Sequence, residues 1–158
     1  MNKKPKGSGD ASPAGDPPAK GIRRQAREEA LKMLYQAEVN PDLNPASKEA
    51  WKALKVSARV EDFGRPLVQA VLDHRDALET RLAEALDNWR MDRLPLLTRV
   101  LLRMGACELT CWGDTPAAVV LDEAVELAHT FMDEETGRFV NGVLDRLARN
   151  ARSAADPA

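Results

Sequence analysis

Arg23, Arg24 and Arg27, in the stretch GIRRQAREEALKMLYQAEV, are the residues whose type and spacing could do chemistry. A guanidinium keeps its charge at physiological pH and presents a fixed fork of donors, so three along one helix edge suit phosphate oxygens. Their position points the same way. A helix from Ile22 to Val39 would carry them in its first turns, where the macrodipole favours carboxylates over cations. Something other than helix stability must account for them. Catalysis finds less support. The chain has no glycine-rich phosphate loop, HExxH, CxxC or nucleophile elbow. Cys107 and Cys111 stand i, i+4 in a leucine-rich segment and read as small core or boundary residues. A helix holds such positions too widely and rigidly for an easy disulfide, and two thiols do not complete a zinc set. His74 and His129 are isolated from each other. The residues therefore imply binding, with no catalytic group, no metal and no cofactor.

Charge supports a binding surface confined to one end. Residues 1–27 carry seven Lys/Arg against Asp10 and Asp16, a net +5, while the remainder carries −7. A basic end on an acidic body is a familiar arrangement for nucleic-acid contact. Residues 1–21, rich in Gly, Pro, Ser, Asp and Lys, have too little apolar surface to offset their ordering entropy and are expected to form a flexible basic tail. No apolar h-region follows the lysines and no window approaches a membrane span, so a soluble, cytoplasmic protein without membrane contact is expected.

Every later segment reads as helix, and no stretch alternates with period two. Ala26, Ala30, Met33, Leu34 and Ala37 line one side of the first. A second, near Ala46–Arg59, has Trp51, Leu54 and Ala58 on one face and Ser47 as N-cap. A third is expected from Asp62 to Asn88, striped by Leu67, Val71, Leu78, Leu82 and Leu86, with Pro66 in its first turn. Pro95 opens a fourth, PLLTRVLLRMGACELTCW. Thr115 reads as the N-cap of a fifth, with Pro116 at its first position. Asp133, Glu134 and Glu135 begin a last helix that ends near Arg149, leaving 151–158 frayed. Within it, Asn141-Gly142 would signal a hairpin in isolation. The stripe Phe139, Val140, Val143, Leu144 and Leu147 runs straight through, so the pair must be helical. A helical glycine costs about 1 kcal/mol against alanine; close approach of a neighbouring helix is the expected reason for both Gly105 and Gly142.

The string VVLDEAVELAHTFMDEETGRFVNGVLDRLAR, residues 119–149, resembles the C-terminal signature of the NusB transcription antitermination family. RRQAREEALKMLYQAE, WRMDRLP and TRVLLRMGACEL match in the same order, so the resemblance covers residues 23–149. It implies an all-α fold of two crosswise-packed helical subdomains over residues 22–150. It also implies binding to boxA-type single-stranded RNA of ribosomal RNA operons, together with the ribosomal protein NusE, within an RNA polymerase antitermination complex. By position, Arg23, Arg24, Arg27, Arg138, Phe139 and Asn141 would contact RNA. Tyr35, Arg103 and Glu135 would serve the partner side, Glu135 also moderating RNA affinity. Gln25 departs from members with an arginine there, and Cys107 from those with an aromatic. NusB-like domains also occur fused to RNA cytosine methyltransferases; no such domain follows here, which favours the stand-alone factor. A helical scaffold or homodimer with no RNA role of its own is the alternative.

Overall fold

The computed structural model describes residues 19–87 and 90–155. Residues 19–21 of the expected tail already belong to the first helix; the rest of that tail, up to residue 18, and residues 156–158 lie outside the described residues. Seven α-helices follow one another: α1 (Ala19–Val39), α2 (Lys48–Ala53), α3 (Ala58–Asp73), α4 (Arg75–Leu86), α5 (Leu96–Thr110), α6 (Ala117–Phe131) and α7 (Glu134–Ala155). A single 3-10 turn, Met91–Arg93, precedes α5. Among the described residues there is no strand, and no helix is long and apolar enough to cross a membrane. The chain divides into two units, one ending at Pro66 and one beginning at Leu67.

In the first unit, Ile22 and Ala26 of α1 meet Val60 of α3, with Val56 and Phe63 packed against them. Trp51 of α2 is fully buried, and its indole Nε1–H donates to the Pro45 carbonyl at 2.8 Å, so its polar edge is satisfied. Gly64 makes room for it: a Cβ there would fall on the Trp51 ring and lie 3.2 Å from the Ala26 carbonyl. A buried tryptophan of this kind contributes about 3–5 kcal/mol relative to alanine. Ser47 caps α2 as expected, its hydroxyl accepting from Ala50 N–H at 3.1 Å.

The second unit is organised around α5, in which every residue from Val100 to Glu108 is buried. Helices α4, α6 and α7 all pack on it, and α7 also touches α4 and α6. Gly105 makes room for a side chain of α7. A Cβ at Gly105 would stand 2.5 Å from Leu144 Cδ1, and Leu144 is itself fully buried. The close approach expected of Gly105 is therefore present.

Several sequence expectations need correction. Gly142 is exposed, and a Cβ there would meet nothing within 4 Å, so it permits no helix contact. The long helix expected from 62 to 88 is two, broken at His74, whose φ of −111° and ψ of 20° leave the helical range. Its ring Nδ1 lies 2.9 Å from the Ala70 carbonyl at the end of α3. Pro66 sits well inside α3, not in its first turn, and its missing N–H removes one intrahelical bond. Pro116, not Thr115, occupies the N-cap of α6. The last helix continues past Arg149 to Ala155, so residues 151–155 are helical and not frayed.

The two mid-helix glycines should respond oppositely to substitution. Gly105→Val overpacks a contact with no spare volume and should destabilise by about 1–3 kcal/mol. Gly142→Ala should be neutral or stabilise by up to about 1 kcal/mol, since only backbone freedom changes. Thermal unfolding followed by circular dichroism checks the order; a lower melting temperature for Gly142→Ala than for Gly105→Val would contradict it.

Candidate nucleic-acid interface

In the first unit the arginine cluster is organised by an aromatic ring. Arg23 Cζ lies 4.8 Å and Arg27 Cζ 5.0 Å from the centroid of Phe63. The negative face of the ring attracts both guanidiniums and holds them in place. Arg23 is exposed and Arg24 half-buried. Arg27, expected beside them as a phosphate contact, is only 3% exposed, its side chain packed within the protein. Phe63 escaped the sequence reading, since an aromatic on α3 carries no local sign that it lies under arginines on α1.

Tyr35 is 38% exposed on α1, and Val39, one turn further on, is 62% exposed. They form a small apolar strip at the C-terminal end of that helix. Arg103 is different. It is buried on α5, and its Nε donates to Glu79 Oε2 of α4 at 3.2 Å. A guanidinium enclosed this way holds α4 to α5; of the two roles open to Arg103, an ion pair within the fold or a partner-facing contact, the ion pair is the one present.

In the second unit the start of α7 is built from its cap outward. Asp133 Oδ1 accepts the Thr136 N–H at 2.7 Å, and the Asp133 carbonyl accepts the Gly137 N–H at 3.1 Å. The Thr136 hydrogen bonds, with help from Arg138, hold the Asp133 carboxyl below the usual carboxylate range. Gly137 is buried beneath His129 of α6, whose ring Nε2 would lie 2.7 Å from a Cβ at that position. This close elbow fixes where the following residues point. Glu134, Glu135, Arg138 and Asn141 are exposed, while Phe139 is half-buried.

Phe139, Gly142, Val143 and Arg146 of α7 face Ala85, Leu86 and Asp87 at the end of α4 across a groove of about 320 Å³, with Arg138 at its edge. Asp87 has a φ of 61° and closes α4. Its carboxylate pairs with Arg146 Nη1 at 3.2 Å across the groove. Gly142 lines this groove, and a Cβ there would meet nothing within 4 Å. The groove joins an aromatic edge, two guanidiniums and one carboxylate, a set suited to holding a planar polar group. Among the described residues no group of three or more His, Cys, Asp or Glu could hold a metal ion.

Comparison with known proteins gives a concordant result. A family model described as the NusB family matches residues 24–149. The chain is 38% identical over 125 residues to the transcription antitermination protein NusB of Oceanobacillus iheyensis, covering 79% of this chain and 97% of that one. It is 41% identical over 133 residues to that of Myxococcus xanthus, covering 81% and 95%. Among solved structures, NusB of T. maritima superposes with a TM-score of 0.72 at 28% identity, covering 80% of this chain and 90% of that one. A structure of antitermination factors NusB and NusE in complex with dsRNA gives a TM-score of 0.73 at 26% identity, covering 82% and 98%.

Two predictions follow the local geometry. Arg103→Met removes the pairing with Glu79; because Glu79 reaches water, the loss should be about 1–3 kcal/mol, read as a lower denaturation midpoint with unchanged slope. For Asp133 the lowered folded-state pKa gives stability present above the unfolded value and lost as pH falls through the folded one. Asp133→Asn keeps an N-cap acceptor without that titration. Its melting temperature should decline less than that of the wild type below about pH 4; parallel acid limbs would refute the assignment.

Proposed function

Because this chain belongs to the NusB family, we propose that it is an RNA-binding transcription antitermination factor. It binds boxA-type RNA of ribosomal RNA operons together with NusE and helps RNA polymerase resist termination in the cytoplasm. The observation that carries this reading is the Arg23–Arg24 edge backed by Phe63, on a chain resembling NusB proteins over most of its length. The resemblance to the complex of NusB, NusE and dsRNA supports both proposed partners.

The mechanism is capture without chemistry. Arg23 and Arg24 pair with phosphates and release condensed counterions, which supplies affinity and steers association. Arg27 reinforces the potential from beneath. In the second unit, Arg138 adds a phosphate contact, Phe139 offers an aromatic edge for an unstacked base, and Asn141 offers an amide for base edges. Glu135, also exposed on α7, restrains this attraction, so that RNA is held firmly only when NusE contributes surface of its own. Tyr35 and Val39 are the proposed apolar footing for that partner, the tyrosine ring packing while its hydroxyl stays wet. Residues 22–150 act as the binding region, and the basic tail before them adds diffuse attraction.

A titration of labelled boxA RNA, with and without NusE and at two salt concentrations, tests the proposal. Affinity should rise when NusE is added and fall steeply with salt. Arg23→Ala with Arg24→Ala should weaken binding at low salt. It should also make the slope of log K against log salt shallower by about 0.7 per lost contact. The helical circular dichroism signal should be unchanged. Unaltered RNA affinity in that double variant would refute the phosphate assignment and leave a protein–protein scaffold or homodimer as the better reading.

A further inference from the structure

The two cysteines stand one turn apart where α5 ends, but their side chains are not aimed as two helical residues would aim them. Cys107 lies in α5, and Cys111 is its C-cap, with a φ of −144° and ψ of 0°. The Cys111 N–H still makes the helical bond to the Cys107 carbonyl at 2.9 Å, which the Trp112 N–H shares at the same distance. With its side chain turned by that φ, the Cys111 thiol lies 3.6 Å from the Cys107 sulfur, toward which it donates a weak hydrogen bond. Cys107 is fully buried, whereas Cys111 is partly open to solvent. Beyond them, Gly113, with a φ of 84°, begins the connection to α6. Cys111 is thus held by helix on one side only and can complete the remaining approach by a small movement.

We propose that Cys107 and Cys111 form an oxidisable dithiol, a modification site at which hydrogen peroxide converts the pair to an intramolecular disulfide. Cys111, the partly open one of the pair, reacts first. Its thiolate attacks one peroxide oxygen; an S–O bond forms, the O–O bond breaks, and water leaves after protonation, giving a sulfenic acid. The Cys107 sulfur then attacks the Cys111 sulfur, forming S–S and breaking S–O. The hydroxide that departs takes the Cys107 proton and leaves as the second water. The two thiols lose two electrons together, and the peroxide is reduced to two waters. Burial and the neighbouring Cys111 push the Cys107 thiol up, so it resists direct oxidation; the 3.6 Å separation of the two sulfurs is what favours its attack on a sulfenic acid at Cys111. The closed loop spans few residues, so the bond gains little from chain entropy and belongs to the readily reducible class.

The full chain, which contains only these two cysteines, is treated with hydrogen peroxide and alkylated under denaturing conditions. It is then weighed intact. The expected product is a monomer lighter by two hydrogens, with no alkylated cysteine, restored by dithiothreitol. Added oxygen at Cys111 with Cys107 still alkylatable, a covalent dimer, or no change would each overturn the proposal. Cys111→Ser should slow oxidation of Cys107 by about tenfold or more, and loss of Cys107 at the wild-type rate would overturn the order of steps. Cys107→Ala should leave a Cys111 sulfenic acid that a cyclic diketone traps, and failure to trap it would count against Cys111 as the first site. Circular dichroism confirms that each variant remains helical.

Discussion

Helix α7 reaches α5 as closely as it does because Gly105 has no side chain, and much of the second unit depends on that contact. Leu144 fills the space where a Cβ would otherwise stand. Its branched end lies against backbone, so the two helix axes approach without opening a void, and interiors pack too densely to tolerate one cheaply. Leu144 in turn fixes α7 along its length. Phe139 and Val143, one turn apart on the same helix, then line the groove facing the end of α4. A missing methyl group on one helix thus positions an aromatic edge on another.

The cationic edge of the first unit depends on a different device, in which an apolar residue does electrostatic work. Phe63 packs against the small core of Ile22, Ala26 and Val60 and also lies beneath Arg23 and Arg27. The ring therefore couples folding to charge placement. Without it the guanidiniums would sample many rotamers, and each ordered contact with a phosphate would first cost side-chain entropy. Arg27, buried among these groups, contributes charge that solvent screens less than it would at the surface.

What could be read from the sequence was what is local. The all-α class, the Ser47 cap and most buried stripes follow from spacing and capping chemistry, but the second helix, expected over 46–59, stops at Ala53, and Ala58 of its expected face is exposed at the start of α3. The first-helix arginines stood out by their clustering; with α1 beginning at Ala19 they lie beyond its first turn, where the dipole weighs little. The break at His74 was hidden because Leu67 and Val71 before it, and Leu78, Leu82 and Leu86 after it, keep one apparent apolar phase. Gly142 was misread because the costs of a helical glycine are local whereas the space around it depends on what lies opposite. The roles of Arg27 and Arg103 were illegible for the same reason. A charge is visible in the sequence, but Phe63 and Glu79, which decide where it points, are 36 and 24 positions away. Trp51 over Gly64 is another pairing that no local pattern announces.

The elbow at Gly137 carries a consequence for how this surface could change over time. The exposed His129 ring covers the first turn of α7 and would have to swing aside to admit a methyl group at Gly137. Each residue advances an α-helix by about 100°, so a residue inserted inside α7 between Arg138 and Val140 would swing Arg138 a quarter-turn or more away from its place relative to the buried stripe. An insertion in the connection before α7 leaves that register untouched, so drift there spares the aim of the recognition side chains.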